Sequence, residues 1–123
     1  MLKPTDPHKF FIAWSYSFLF TLAVEIPIYV LVARRSVPAR RAALAAALCS
    51  AVTHPLLWFV WPRFFKHYTT YIVSGELIVA VVEALIFWAV ARPKRFLTAV
   101  AASFLANAGS YGLGVLFHYL HWM

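Results

Sequence analysis

Glu25, Glu76 and Glu83 are three of the four acidic residues in the chain, and each is embedded in a long apolar run. An ionised side chain at the middle of a membrane span costs about 2.5 to 3.5 kcal/mol on insertion scales, against roughly −0.3 to −0.6 kcal/mol for each Leu, Ile, Val or Phe. One Glu therefore cancels several favourable residues. Three in so short a chain point to a site that uses carboxyl chemistry, which is cation ligation through oxygen or proton exchange.

Spacing gathers these residues with others. Glu76 and Glu83 are seven apart, which on a helix puts them on one face two turns from each other, with Ala80 keeping that stripe narrow. Ser50, Thr53 and His54 share a face by the i, i+3, i+4 rule. Ser103, Asn107, Ser110 and Gly114 form another stripe, and Thr21 with Glu25 a further one. Four helices with one polar face each can satisfy those faces together only by turning them inward.

Three chemistries fit this set. The first is a divalent metal ligated by Glu25, His54, Glu76 and Glu83, with Asn107 as ligand or support; one imidazole among carboxylates suits Zn, Mn or Fe. No His-Glu-x-x-His helix and no cysteine pair makes that pattern specific. The second is a proton or ion path in which the same carboxyls exchange protons as a substrate passes. The third is an intramembrane metal-dependent enzyme with a Glu as general base and His54 as its partner. The chain has no Gly-x-Ser-x-Gly elbow, so no catalytic residue is assigned. Against all three stands an accessory or assembly subunit of a larger membrane complex, whose Glu, His and Asn tie helices together. Such bonds average well under ~2 kcal/mol each in membranes, so three Glu are a costly way to make them. The expectation is therefore binding or transport of a cation, either a divalent metal or a proton-coupled substrate, rather than catalysis. Its site comprises Glu25, His54, Glu76, Glu83 and Asn107, supported by Thr21, Ser50, Thr53, Ser103 and Ser110.

The elements that must position these residues are four apolar stretches at 10–33, 42–61, 69–91 and 96–120. Hydrophobic side chains make up 63% of the chain and charged ones 12%, with a mean hydropathy of +0.77. Each stretch reaches the ~20 residues that a helix needs to cross ~30 Å of hydrocarbon. The fold class expected is an all-α integral membrane protein, one four-helix domain over residues 1–123. Its short connections (RRSVPARR, PRFFKHY, RPKR) make successive helices antiparallel neighbours. Nine residues precede the first stretch and no small-residue cleavage site follows it, so that stretch is expected to stay. A lipid bilayer is the expected partner. The small residues Ala102, Ala106, Ser110 and Gly114, and the Ala-rich second stretch, suit close helix packing in a homo-oligomer or a larger complex.

The net charge of +7 does not signal nucleic acid, because all eleven Lys and Arg residues lie outside the apolar stretches. They signal topology. Arg34, Arg35, Arg40, Arg41, Arg92, Lys94 and Arg95 fall in the first and third loops, whereas Lys3, Lys9, Arg63 and Lys66, partly offset by Asp6, fall on the other side. This bias places the first and third loops in the cytoplasm and both termini outside, in a bacterial inner membrane. Trp14, Tyr16, Tyr29, Trp58, Trp61, Tyr68, Tyr71, Trp88, Tyr119 and Trp122 near the stretch ends suit the interfacial belt. His8, His67, His118 and His121 read as interfacial, and only His54 lies in mid-span, so a haem held by two buried His is not expected. Cys49, the single cysteine, has no partner in the chain.

Depth follows from distance to the Arg anchors. Glu25 and Glu83 each lie nine residues from an Arg, about 13 Å in at 1.5 Å per residue. His54, Asn107 and Glu76 lie thirteen, twelve and sixteen residues away, about 18 to 24 Å. Two layers are expected: an inner one of Glu25 and Glu83, and an outer one of His54, Glu76 and Asn107. Pro27 and Pro55 free the carbonyls of Ala23 and Ala51 beside Glu25 and His54, a feature of helices that line ion sites as well as of helices that are only bent.

Overall fold

The computed structural model describes residues 7–64 and 66–120. Lys3, Asp6, His121 and Trp122, and the side chains of Tyr68 and His118, lie outside what is described. Four long helices account for most of the rest: α1 (Pro7–Ala33), α2 (Ala39–Pro55), α3 (Tyr68–Ala91) and α4 (Phe96–Tyr119). All four are long and apolar enough to cross a membrane, counting with α2 the turn that continues it to Val60. No strand occurs among the described residues.

The ends are set by local chemistry. The Ala33 carbonyl accepts from the Ser36 and Val37 N–H groups at 3.0 and 2.9 Å, closing α1, and Pro38 precedes the first turn of α2. At the close of α3, Arg92 turns left-handed with φ 54°, the usual stop for a helix though rarely made by Arg, and Pro93 prevents resumption. Arg41 Nε donates to the Ala91 carbonyl at 2.9 Å, satisfying one of the acceptors left over there.

The second stretch is not one regular helix. After Pro55 the chain forms a π-helical turn (Leu56–Val60) and then a 3-10 turn (Trp61–Phe64). Proline removes one N–H and crowds the preceding turn, so the register changes there. The Trp61 N–H reaches back to the Leu56 carbonyl instead of to Leu57, and Pro62 has no N–H to offer Leu57. The Leu57 carbonyl instead accepts from the Tyr71 hydroxyl at 2.8 Å. Restoring α-helical register should make that bond redundant. Tyr71→Phe is expected to cost about 1 kcal/mol in the natural sequence and close to nothing in a Pro55→Ala background. Unfolding of the four variants in detergent measures the coupling, and a coupling of zero would refute the link between Pro55 and Tyr71.

α1 packs against α2 and α4, and α3 packs against the same two helices, which closes a ring. Small residues permit the approach: Ala42, Ala45 and Ala46 of α2 and Ala99, Ala102 and Ala106 of α4 are all fully buried. Polarity is inverted relative to a water-soluble core. Leu19, Leu31, Leu44, Leu77 and Leu97 are exposed, while Glu25, Glu83, Ser50 and Ser103 are among the largest fully or almost fully buried side chains.

Candidate functional site

The four polar faces meet at one carboxyl pair. Glu25 of α1 and Glu83 of α3 are 2% and 1% exposed, and both are held in one buried cluster of side chains from the four helices. Glu83 Oε1 accepts from the Tyr29 hydroxyl at 2.9 Å and from Asn107 Nδ2 at 3.2 Å, and Glu83 Oε2 meets Thr53 Oγ1 in a short contact. Glu25 accepts from Ser50 Oγ at 3.3 Å and from Ser110 Oγ at 2.6 Å. All four helices thus contribute, and each of these hydrogen-bond partners is a neutral hydroxyl or amide.

The contact at Thr53 has two proton arrangements. Its hydroxyl carries one proton but lies within reach of two acceptors, Glu83 Oε2 and the Cys49 carbonyl at 2.9 Å. When the proton is given to Cys49, the contact with Glu83 needs a proton on the carboxyl. The site therefore fits a charged and a neutral Glu83 without moving a side chain.

Other residues expected in the site are placed around this pair or apart from it. Ser103 donates to the Ala80 carbonyl at 2.6 Å, one turn along α3 from Glu83. Glu76 is only half-buried and stands two turns along α3 from Glu83. His54 lies elsewhere: Nε2 shares a hydrogen bond of 3.2 Å with Thr21 Oγ1, and the ring packs among Trp14, Phe18 and Trp58. Glu25, His54, Glu76 and Glu83 are thus not brought to one point, because His54 turns toward Thr21 and Glu76 stands two turns along α3. Among the described residues no three His, Cys, Asp or Glu side chains are grouped to hold a metal ion.

Asn107 joins Glu83 rather than an outer layer with His54. In both α3 and α4 the side chains lean toward the helix N-terminus. If the two helices run in opposite directions, Glu83 and Asn107 lean toward each other and close the roughly 5 Å that separates them by residue count. Tyr29 and Tyr71, expected in an interfacial belt, are buried with their hydroxyls bonded, to Glu83 and to Leu57. Tyr29 is the site residue that reading by end position misses. Its spacing of four from Glu25, which puts it on the same helix face, is the signal that identifies it.

The environment of His54 yields a prediction. Its Nδ1 is buried with no hydrogen-bond partner among the described residues, so aromatic packing accounts for most of what the ring contributes. His54→Phe is expected to change stability by less than about 1 kcal/mol, and His54→Ala to lower it by about 2 to 3 kcal/mol. Thermal unfolding in detergent checks both, and an equal loss in the two variants would show that the imidazole nitrogens matter more than the ring.

The chain matches no protein-family model, and comparison with curated proteins and with solved structures finds no match.

Proposed function

We propose that this is an integral membrane protein whose antiparallel helices enclose a cation site, the Glu25–Glu83 pair, at which a cation exchanges with a proton. The observation that carries the reading is the pair itself: two buried carboxyls in one cluster, each hydrogen-bonded to neutral donors. No Lys or Arg falls within the apolar stretches. Two negative charges buried in one such cluster repel, by a few kcal/mol over several ångströms even at an effective dielectric constant of about 20. The pair therefore needs one positive charge between its oxygens, and a proton or another cation supplies it. Whichever enters displaces the other. Glu76, half-buried and two turns along α3, is the next carboxyl on the way to the end of the bundle that carries the termini.

Apolar exteriors on four helices of spanning length support the membrane reading. The Arg-rich first and third loops support a cytoplasmic position for those loops, with both termini outside.

The test is proton release. Protein purified in detergent and held in weak buffer with a pH-sensitive dye is mixed with Na+, Mn2+, Zn2+ or methylammonium. At least one cation is expected to release about one proton per chain, with none released by Glu83→Gln and less by Glu25→Gln. Absence of release with every cation, alongside an unchanged carboxyl band in isotope-edited infrared spectra, would overturn the proposal.

A further inference from the structure

The positive charge of the chain is collected at one end of the bundle. Seven of the eleven Lys and Arg residues lie between Arg34 and Arg41 or between Arg92 and Arg95, and all seven are exposed. The two segments share that end. Arg41 Nε donates to the Ala91 carbonyl at 2.9 Å, from the start of α2 to the close of α3, and Val37, Ala42, Ala91 and Ala99 are buried in one apolar cluster. The acidic residues of the chain are Asp6, Glu25, Glu76 and Glu83, so neither basic segment contains a carboxylate. Charges of one sign gathered in this way repel, and an anion from outside the chain relieves them.

The structure adds two features to that charge. The bond to Ala91 uses Arg41 Nε and leaves the two terminal amino groups of the same guanidinium for another acceptor. Arg92 follows Ala91 directly, in its left-handed turn of φ 54°, so cations from two helices are brought to one peptide group. Arginine in such a place pairs with phosphate oxygens through two parallel bonds. Next to these cations the surface becomes hydrocarbon. Trp88, one turn before Arg92, and Phe96 and Leu97, directly after Arg95, are 39%, 45% and 69% exposed. The Trp88 and Phe96 rings meet edge to face at 5.3 Å and join α3 to α4.

We infer that this end of the bundle binds an anionic phospholipid, with its phosphate on Arg41, Arg92 and Arg95 and an acyl chain along Trp88, Phe96 and Leu97. Charge complementarity selects the head, and the adjoining apolar side chains select a lipid over free phosphate, because hydrocarbon covers them without leaving a polar group unpaired. The number of cations exceeds what one phosphodiester neutralises, so a lipid with two phosphates should bind more tightly than a lipid with one. This inference depends on the helices lying in a membrane and is independent of the carboxyl pair.

The test is a lipid titration of the detergent-purified full chain, followed by native mass spectrometry, with diphosphatidylglycerol (two phosphates), phosphatidylglycerol (one), zwitterionic phosphatidylcholine and inorganic phosphate. Diphosphatidylglycerol is expected to bind about tenfold or more tightly than phosphatidylcholine, with phosphatidylglycerol between them, as a contribution of about 1 kcal/mol per engaged cation allows. Arg92→Asn combined with Arg95→Gln should bring that preference to within about threefold, and Asn is chosen at position 92 because it tolerates the left-handed turn. Lys94→Gln combined with Arg95→Gln, which leaves the turn untouched, should lower it in the same direction. Arg63→Gln combined with Lys66→Gln removes the same charge from exposed positions outside the two basic segments, and should leave the preference unchanged. Equal losses in the Arg63 and Arg92 pairs would show that net charge alone attracts the lipid and would overturn the site. So would a natural chain that binds the three lipids equally. Inorganic phosphate that competes with diphosphatidylglycerol at equal concentration would overturn the lipid and leave a phosphate site.

Discussion

Replacing Glu83 by Ala is expected to lower stability by about 3 kcal/mol, while Glu83→Gln changes it by less than about 1 kcal/mol and still abolishes proton release. The contrast follows from where each neighbour's proton points. In Glu83→Ala the Tyr29 hydroxyl and one Asn107 N–H lose their acceptor in a fully buried place, and each orphaned donor costs about 1 to 3 kcal/mol. Thr53 is spared, because the Cys49 carbonyl at 2.9 Å keeps its proton engaged. The Gln side chain fits the same set of partners. Its carbonyl oxygen takes the position of Oε1 and accepts from Tyr29 and Asn107, and its amide donates to Thr53 Oγ1, which turns its own proton to Cys49. Gln is in this sense a fixed copy of the neutral carboxyl, and so it should fold well and exchange nothing. Unfolding in detergent, with the dye assay on the same preparations, separates the two effects. Equal stability of the Ala and Gln variants would show that the donors around Glu83 do not depend on it.

How far the sequence foretold this site depends on which physical rule was in force. The four helices were legible because hydropathy over some twenty residues is a sum, insensitive to any one of them, and the observed ends of α1, α3 and α4 fall within three residues of the expected ones. The second stretch departs from expectation only after Pro55, where a local loss of one N–H changes the register in a way that composition does not record. The meeting of Glu25, Ser50, Thr53, Glu83, Asn107 and Ser110 was legible as well, since period-3.6 faces leave few ways to pair polar groups. Depth was less so. A count of residues from the Arg anchors locates Cα atoms, but side-chain lean and reach decide contact, and these bring Asn107 to Glu83. Tyr29 and His54 mark the remaining limit. Tyrosine near a helix end suits an interface or a buried bond equally, and only the rotation of α1 about its axis, fixed by its neighbours, selects the second. The same rotation brings Thr21 of α1, with Phe18, to His54 of α2.

If neutral donors are what make the carboxyl pair tolerable, turning one of them into a third carboxyl should be the most damaging small change in the protein. Asn107→Asp does this with no gain in volume. Asn107 Nδ2 donates to Glu83 Oε1 at 3.2 Å and to the Ser103 carbonyl at 2.8 Å, and in the variant both contacts place oxygen against oxygen. Leaving a buried charge uncompensated costs about 3 to 5 kcal/mol, so little folded protein is expected for this variant. A simple loss of packing would predict the same outcome, but the exchanged pair Asn107→Asp with Glu83→Gln distinguishes the two causes. There the amide and the carboxyl trade places across one contact, and the number of carboxyls returns to that of the natural site. At least half of the lost stability should return, because the amide introduced on α3 now donates to the carboxylate introduced on α4, although Tyr29 then gives up part of its bond. Folded yield and unfolding midpoint for the two single variants and the exchanged pair are the measurements. A double variant no more stable than Asn107→Asp alone would mean that shape, not the balance of donors and acceptors, holds this centre together.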